Sequence, residues 1–178
     1  MPGEKTMGTI KITSWNVAHL DRLTKNDLDK DDLTRRNAVV REIQELSPDV
    51  LCLLEGPKGE ESIDRISNNL LGGEWVAVKA SDGEYATQGN QWIWFLVHKK
   101  HKGQASLLPV ATWDAFASGS WKVNFWGEFE ERRHQHFRHP QVLVFDWHGL
   151  RVEFVGLLPQ KQICQPGREH VEGRGHKA

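Results

Sequence analysis

Cysteine is nearly absent from this chain. Two occur in 178 residues, Cys52 inside an apolar run and Cys164 near the C-terminal end, so a disulfide framework is excluded as the source of stability. Long apolar runs are lacking as well. None approaches the ~20 residues of a membrane-crossing helix, and the N-terminus lacks the basic-then-apolar plan of a secretory leader. There is no excess of charge: 23 Lys and Arg face 24 Asp and Glu, a net charge of -1. No global field therefore draws the chain to nucleic acid or an anionic membrane, and any polyanion must bind at a local site. No repeat, low-complexity block or linker divides the sequence. The length suits one domain with a real core better than two, so residues 1–178 are expected to form a single domain. These absences together lead us to expect a soluble, cytoplasmic protein that makes no membrane contact.

What is present is a run of regular signals and eight tryptophans, enough to supply a core, an interface or a stacking surface. "TIKITSW" places Ile10 and Ile12 at strand period and stops at Asn16. In "DDLTRRNAVVREIQELSPDV" the residues Val39, Ile43 and Leu46 recur at helical spacing, with Asp31, Asp32 and Thr34 as candidate N-caps and Ser47-Pro48 as a stop. "VLCLL" is too short and too uniformly apolar for an amphipathic helix and reads as a strand buried on both faces. A second helix is predicted from Ile63, Ile66 and Leu70, ended by Gly72-Gly73. "EWVAVK", "QWIWFLVHK", "QVLVFDW" and "LRVEFVGLL" read as strands, the last two joined by a tight turn at His148-Gly149.

A helical crossover between the first two strands makes them parallel, with their C-terminal ends together. Asn16 and Glu55 then share one rim, where open α/β sheets place ligands. At this point "ITSWNVAHL" and "PDVLCLLEG" resemble the first two motifs of the endonuclease/exonuclease/phosphatase superfamily, the group of deoxyribonuclease I, abasic-site endonucleases and inositol phosphatases. "HFRHPQVLVFDWHGLRVEFVGLLPQK" is similar to a third stretch of that family, in which an arginine before a proline opens a strand and the returning strand delivers a histidine. The resemblance implies an α/β (α+β) fold, a mixed β-sheet with helices on one face. That is half of the deoxyribonuclease I-like four-layer sandwich, as if the family domain were truncated.

By the same resemblance Glu55 would bind Mg²⁺ or Mn²⁺, a hard ion that takes one or two carboxylates and keeps several waters. Asn16 would hydrogen-bond the phosphate or orient the metal ligands. Arg138 would clamp phosphate oxygens with its planar fork. Each has a plainer reading: a glutamate ending a strand, a turn asparagine, an exposed arginine before proline. The departures weigh equally. Leu158 stands where the family has its histidine, and a leucine relays no proton. The family's Gly-Asp-x-Asn motif and terminal Asp-His pair, which hold and activate the attacking water, have no counterpart before Ala178.

The resemblance thus implies a divalent-metal-dependent phosphoesterase or phosphodiesterase of nuclease-like kind, acting on phosphate esters, nucleic acid among them, with its activity impaired or completed by oligomerisation. One alternative is a non-catalytic remnant that binds phosphate or another protein. Another is a metal-dependent ester or lactone hydrolase using "HQHFRH", whose His134, His136 and His139 resemble a zinc motif. There Arg138 takes the place of an aspartate, and a fixed cation beside Zn²⁺ is unfavourable. We also expect a homodimer. If "VLCLL", "WIWFLV", "VLVF" and "VEFVGLL" formed a single sheet with helices on one side, its other side would be a large apolar face, covered by a second copy with tryptophans of "QWIWF" or "VFDW" at the interface.

Overall fold

The computed structural model describes residues 8–85, 91–110, 121–125, 128–132 and 140–157. Strand β1 (Ile12–Asn16) lies parallel to β2 (Val50–Pro57), with Ile12 opposite Val50 and Asn16 opposite Leu54. Between them run a 3-10 turn (Leu20–Thr24) and helix α1 (Lys30–Leu46). The N-cap of α1 is Asp29 rather than the expected Asp31, Asp32 or Thr34. Its carboxylate accepts the Asp32 amide at 2.8 Å, which satisfies one of the unpaired donors of the first turn. The helix stops at Ser47, as expected from Ser47-Pro48, and Ser47 takes the left-handed conformation. Val39 and Ile43, four apart, carry the buried stripe.

The second helix departs from its sequence pattern. Its α-helical part, α2, covers Glu60–Arg65, and Ile66–Leu70 continues as a π-turn in which the Leu71 amide reaches back to the Ile66 carbonyl. The wider turn lets the buried Ser67 hydroxyl donate to the Trp75 carbonyl while Ile63 and Ile66 both stay in the core. Strand β3 (Trp75–Ala77) is shorter than "EWVAVK", and β4 (Gln91–His98) is antiparallel to both β2 and β3. The sheet order is β1-β2-β4-β3.

Both faces of this sheet are buried. Leu51, Leu53, Trp94 and Leu96 meet the helices, while Val50, Cys52, Ile93, Phe95 and Val97 face the opposite way. The helices lie on one face, as expected. The other face corrects the expectation of a single sheet. β8 (Gln141–Trp147) and β9 (Leu150–Gly156) join β5 (Ala105–Leu107) in a separate sheet of order β5-β8-β9, and Leu143 and Phe145 bury completely against the first sheet. The tight turn at His148-Gly149 is present, with positive φ at both residues. A further 3-10 turn (Lys99–Gln104) leads from β4 to β5. A hairpin of β6 (Trp121–Phe125) and β7 (Glu128–Arg132) completes the described strands.

Close packing between the sheets requires a glycine at 156, since a Cβ there would stand 2.8 Å from Ile93 Cγ2 and 3.2 Å from Cys52 Sγ. Burial pushes the Cys52 thiol up to about 11, so it behaves as a small hydrophobe. The apolar face assigned to a second copy is thus filled by the chain's own hairpin. Trp94 is 1% exposed within the first core cluster and Trp147 packs on the second, so the open apolar face from which a dimer was expected is covered by the chain itself.

At the end of the sheet away from Glu55, Asp49 is buried and ties the start of β2 to two other segments. It accepts from the Lys11 amide at 2.8 Å and from Lys100 Nζ at 2.7 Å, and His101 Nε2 lies 3.0 Å away. Burial alone would raise its pKa. The hydrogen bonds from Lys100, the Lys11 amide and His101 outweigh that and hold the carboxyl down to about 2, against an ordinary 3.8. A lowered folded-state pKa stabilises the fold above about pH 4, and this contribution is lost as pH falls through about 2. Asp49→Asn is expected to cost about 1–3 kcal/mol at pH 7, measured as a lower urea midpoint, and the deficit should shrink at pH 2. An equal deficit at both pH values would show that the charge of Asp49 contributes nothing.

Candidate active site

The rim opposite Asp49 is built by three strand ends. Parallel pairing sets the end of β1 beside the end of β2, and there Asn16 Nδ2 donates to Glu55 Oε1 at 3.3 Å. β4, running the other way, starts at this rim, and Gln91 Nε2 donates to Glu55 Oε2 at 3.0 Å. Each oxygen of the carboxylate therefore accepts one side-chain amide. Two of the residues marked in the sequence, Asn16 and Glu55, are brought together. Gln91 was missed, because a strand sequence alone does not fix the register that sets Gln91 opposite Pro57.

The backbone around Glu55 is strained. The β2–β4 register shifts between Leu53 and Gly56, and at this bulge Glu55 has φ 62°, a left-handed conformation that costs a non-glycine residue about 1–2 kcal/mol. Tryptophans hold it there. A Cβ on residue 56 would stand 2.6 Å from Trp94 Cδ1 and 3.1 Å from the Trp92 carbonyl oxygen, and Trp94 Nε1 donates to the Pro57 carbonyl at 2.7 Å. Trp92 stacks on Trp94 at 5.6 Å, and Tyr85 lies 5.2 Å from each. The Tyr85 hydroxyl donates to Glu60 at 2.5 Å, and Lys79 bridges Glu60 and Asp64 at 3.1 and 2.7 Å. Burial and the bond to Glu60 raise the Tyr85 phenol above its ordinary range, so it remains a hydrogen-bond donor. Strain of this kind persists only where the surroundings over-determine the backbone.

As a metal site this arrangement offers one hard carboxylate. Among the described residues no group of three His, Cys, Asp or Glu side chains stands close enough to form a closed protein cage. Mg²⁺ and Mn²⁺ take few protein ligands and keep several waters, so a single carboxylate is compatible with either. Asn16 and Gln91 are placed to fix the orientation of the carboxylate, as outer-shell partners do. Arg138, His134, His136 and His139 lie outside the described residues, as does Leu158. The β8–β9 turn sits by Gly8 at the start of β1, whereas Gly156 reaches Cys52 and Ile93, so the open ends of the hairpin at Gln141 and Gly156 lie toward the Glu55 end of the sheet.

No family model matches the sequence, and no curated protein matches it. Among solved structures the chain is similar to humanized D. rerio TDP2 carrying 14 mutations, with 16% identity and a TM-score of 0.43 over 82% of this chain and 48% of that one. It is also similar to C. elegans TDP2 in two structures. One gives 19% identity and a TM-score of 0.41 over 82% and 34% of the two chains, the other 19% and 0.44 over 85% and 36%. The chain spans less than half the length of the solved chains it matches.

Two substitutions test the strained rim. Gly56→Ala is expected to lower stability by about 1–3 kcal/mol through the clash with Trp94. Glu55→Gly should unfold at a urea midpoint equal to or above that of the wild type, because relief of the left-handed strain offsets glycine's usual strand penalty of about 0.5–1 kcal/mol. A midpoint lowered by that full penalty would show that Glu55 is not strained.

Proposed function

We propose that this chain is a divalent-metal-dependent phosphoesterase, nuclease-like in its chemistry, with Glu55 as the carboxylate that holds Mg²⁺ or Mn²⁺. The observation that carries this reading is the placement of Asn16, Glu55 and Gln91 at one rim, with both oxygens of a strained glutamate held by amides. The motifs "SWN" and "LLEG", which resemble those of the endonuclease/exonuclease/phosphatase superfamily, supply two of those residues. A bound divalent ion would neutralise and polarise a phosphoryl oxygen. The chain's own residues bind and orient: Glu55 anchors, Gln91 steers the second carboxylate oxygen, and Asn16 offers an amide to the phosphate. Arg138 is the cation assigned to the phosphate from the sequence. The substrate is a phosphate ester, with nucleic acid as one carrier of that bond.

A second reading is favoured by the single carboxylate of the described rim and by Leu158 at the position of the family histidine. In that reading the site binds metal and phosphate without turning the ester over.

Calorimetry with MgCl₂ and MnCl₂, combined with hydrolysis of plasmid DNA, a phosphodiester, a phosphomonoester and a simple carboxylic ester, separates these readings. The expected result is metal binding that Glu55→Gln abolishes without loss of folding, and metal-dependent cleavage confined to phosphate esters. Metal binding without turnover selects the second reading. Zinc-dependent cleavage of the carboxylic ester alone, lost on His134→Ala, overturns both.

A further inference from the structure

On the outer side of the helix layer, a pocket of about 380 Å³ opens between the turn after the first 3-10 segment, helix α1 and the π-turn. Its walls carry three cations, Lys25, Arg36 and Arg41, and no aspartate or glutamate. The remaining polar lining consists of Thr24 and the amides of Asn26, Asn37, Gln44 and Asn69, groups that both donate and accept. In a chain of net charge -1 this is a local concentration of positive charge. Helix periodicity produces it: Arg36 and Gln44 flank Val40 at four-residue spacing, and Asn37 and Arg41 form the adjacent row.

The pocket is held open by the core. Val40 and Leu70, which form its apolar floor, pack on the first hydrophobic cluster. Arg36 is half-buried, and neither it nor Lys25 takes part in an ion pair or side-chain hydrogen bond among the described residues. Arg41 has only a loose contact with Glu45 at 3.9 Å, with both side chains largely exposed, a type of pair that contributes little. The neighbouring Arg35 is different, since its guanidinium donates to the Ala18 carbonyl and it lines the groove beside β1 instead.

We infer that this pocket is a binding site for a phosphoryl anion of diphosphate size, separate from the Glu55 rim. Planar guanidinium forks and primary amides match phosphate oxygens in geometry, and three cations balance about the charge of a diphosphate at neutral pH. The same group arrives either as a free diphosphate or as adjacent phosphates of a nucleic-acid strand.

Calorimetry on the whole chain with inorganic pyrophosphate, and separately with a ten-nucleotide single strand, tests the inference at low and moderate salt. Arg36→Gln should weaken binding about tenfold, and the exposed Lys25→Gln should weaken it by a smaller factor with no change in melting temperature. Glu55→Gln should leave it unchanged, which separates the pocket from the proposed metal site. Pyrophosphate binding with this pattern identifies a free anion as sufficient. Binding of the strand alone with the same pattern identifies a site that needs the strand. Absence of binding to either probe, or binding indifferent to Arg36→Gln and Lys25→Gln, overturns the proposal.

Discussion

The rim depends on an atom that is not there. Without a Cβ at residue 56, the indole of Trp94 packs closely on the backbone of β2 and its Nε1 donates to the Pro57 carbonyl. That contact fixes the strand after the bulge, and burial fixes it before the bulge: Val50, Leu51 and Leu53 have no exposed surface. The two residues between these clamps, Leu54 and Glu55, must absorb the register shift. Glu55 does so with a left-handed backbone, and its carboxylate is turned to where the amides of Asn16 and Gln91 meet it. A short flexible loop would place a glutamate at the same rim without holding its direction.

The two-layered core explains why β2 can carry this strain. Leu51 and Leu53 bury under the helices while Val50 and Cys52 bury under the second sheet, so no side of the strand is free to relax. Asp49 fixes its far end through Lys11, Lys100 and His101. Strain at one residue is small beside the apolar burial along the strand, at about 25 cal/mol per Å². The second sheet therefore stabilises the site indirectly, by making β2 a rigid reference for both layers.

The sequence made β1, α1 and β2 legible because their signals are local: a period of two, a period of nearly four, and a run too apolar for any exposed face. From those three elements and one crossover the pairing of Asn16 with Glu55 follows. The second sheet was hidden for a physical reason. "VLVF" is apolar at every position, so it fits beside β4 in one sheet as well as across from it in another, and only the three-dimensional fit of Gly156 over Cys52 and Ile93 decides. The expectation of a dimer rested on that single-sheet reading. The π-turn was equally hidden, because Ile63, Ile66 and Leu70 satisfy helical spacing whether the turn holds 3.6 residues or more; a buried Ser67 with a carbonyl to bond is a tertiary fact. Gln91 fell between these cases, visible as the start of a strand but not as a neighbour of Glu55.

The two candidate sites would handle the same chemical group through opposite electrostatics. At the rim, the phosphate is proposed to be held through a divalent cation carried by the Glu55 carboxylate. Phosphate and metal binding there must be coupled, each strengthening the other by an equal factor, since linkage between two ligands is reciprocal. In the outer pocket the cations belong to the protein, so an anion would enter without a metal and its affinity would fall with added salt. Metal dependence therefore identifies which of the two is occupied when the protein holds a phosphate ester. A chain with a net charge of -1 can keep both because each field is local. Two of the pocket's cations lie on α1 and the third on the turn before it, while the carboxylate lies at the strand ends.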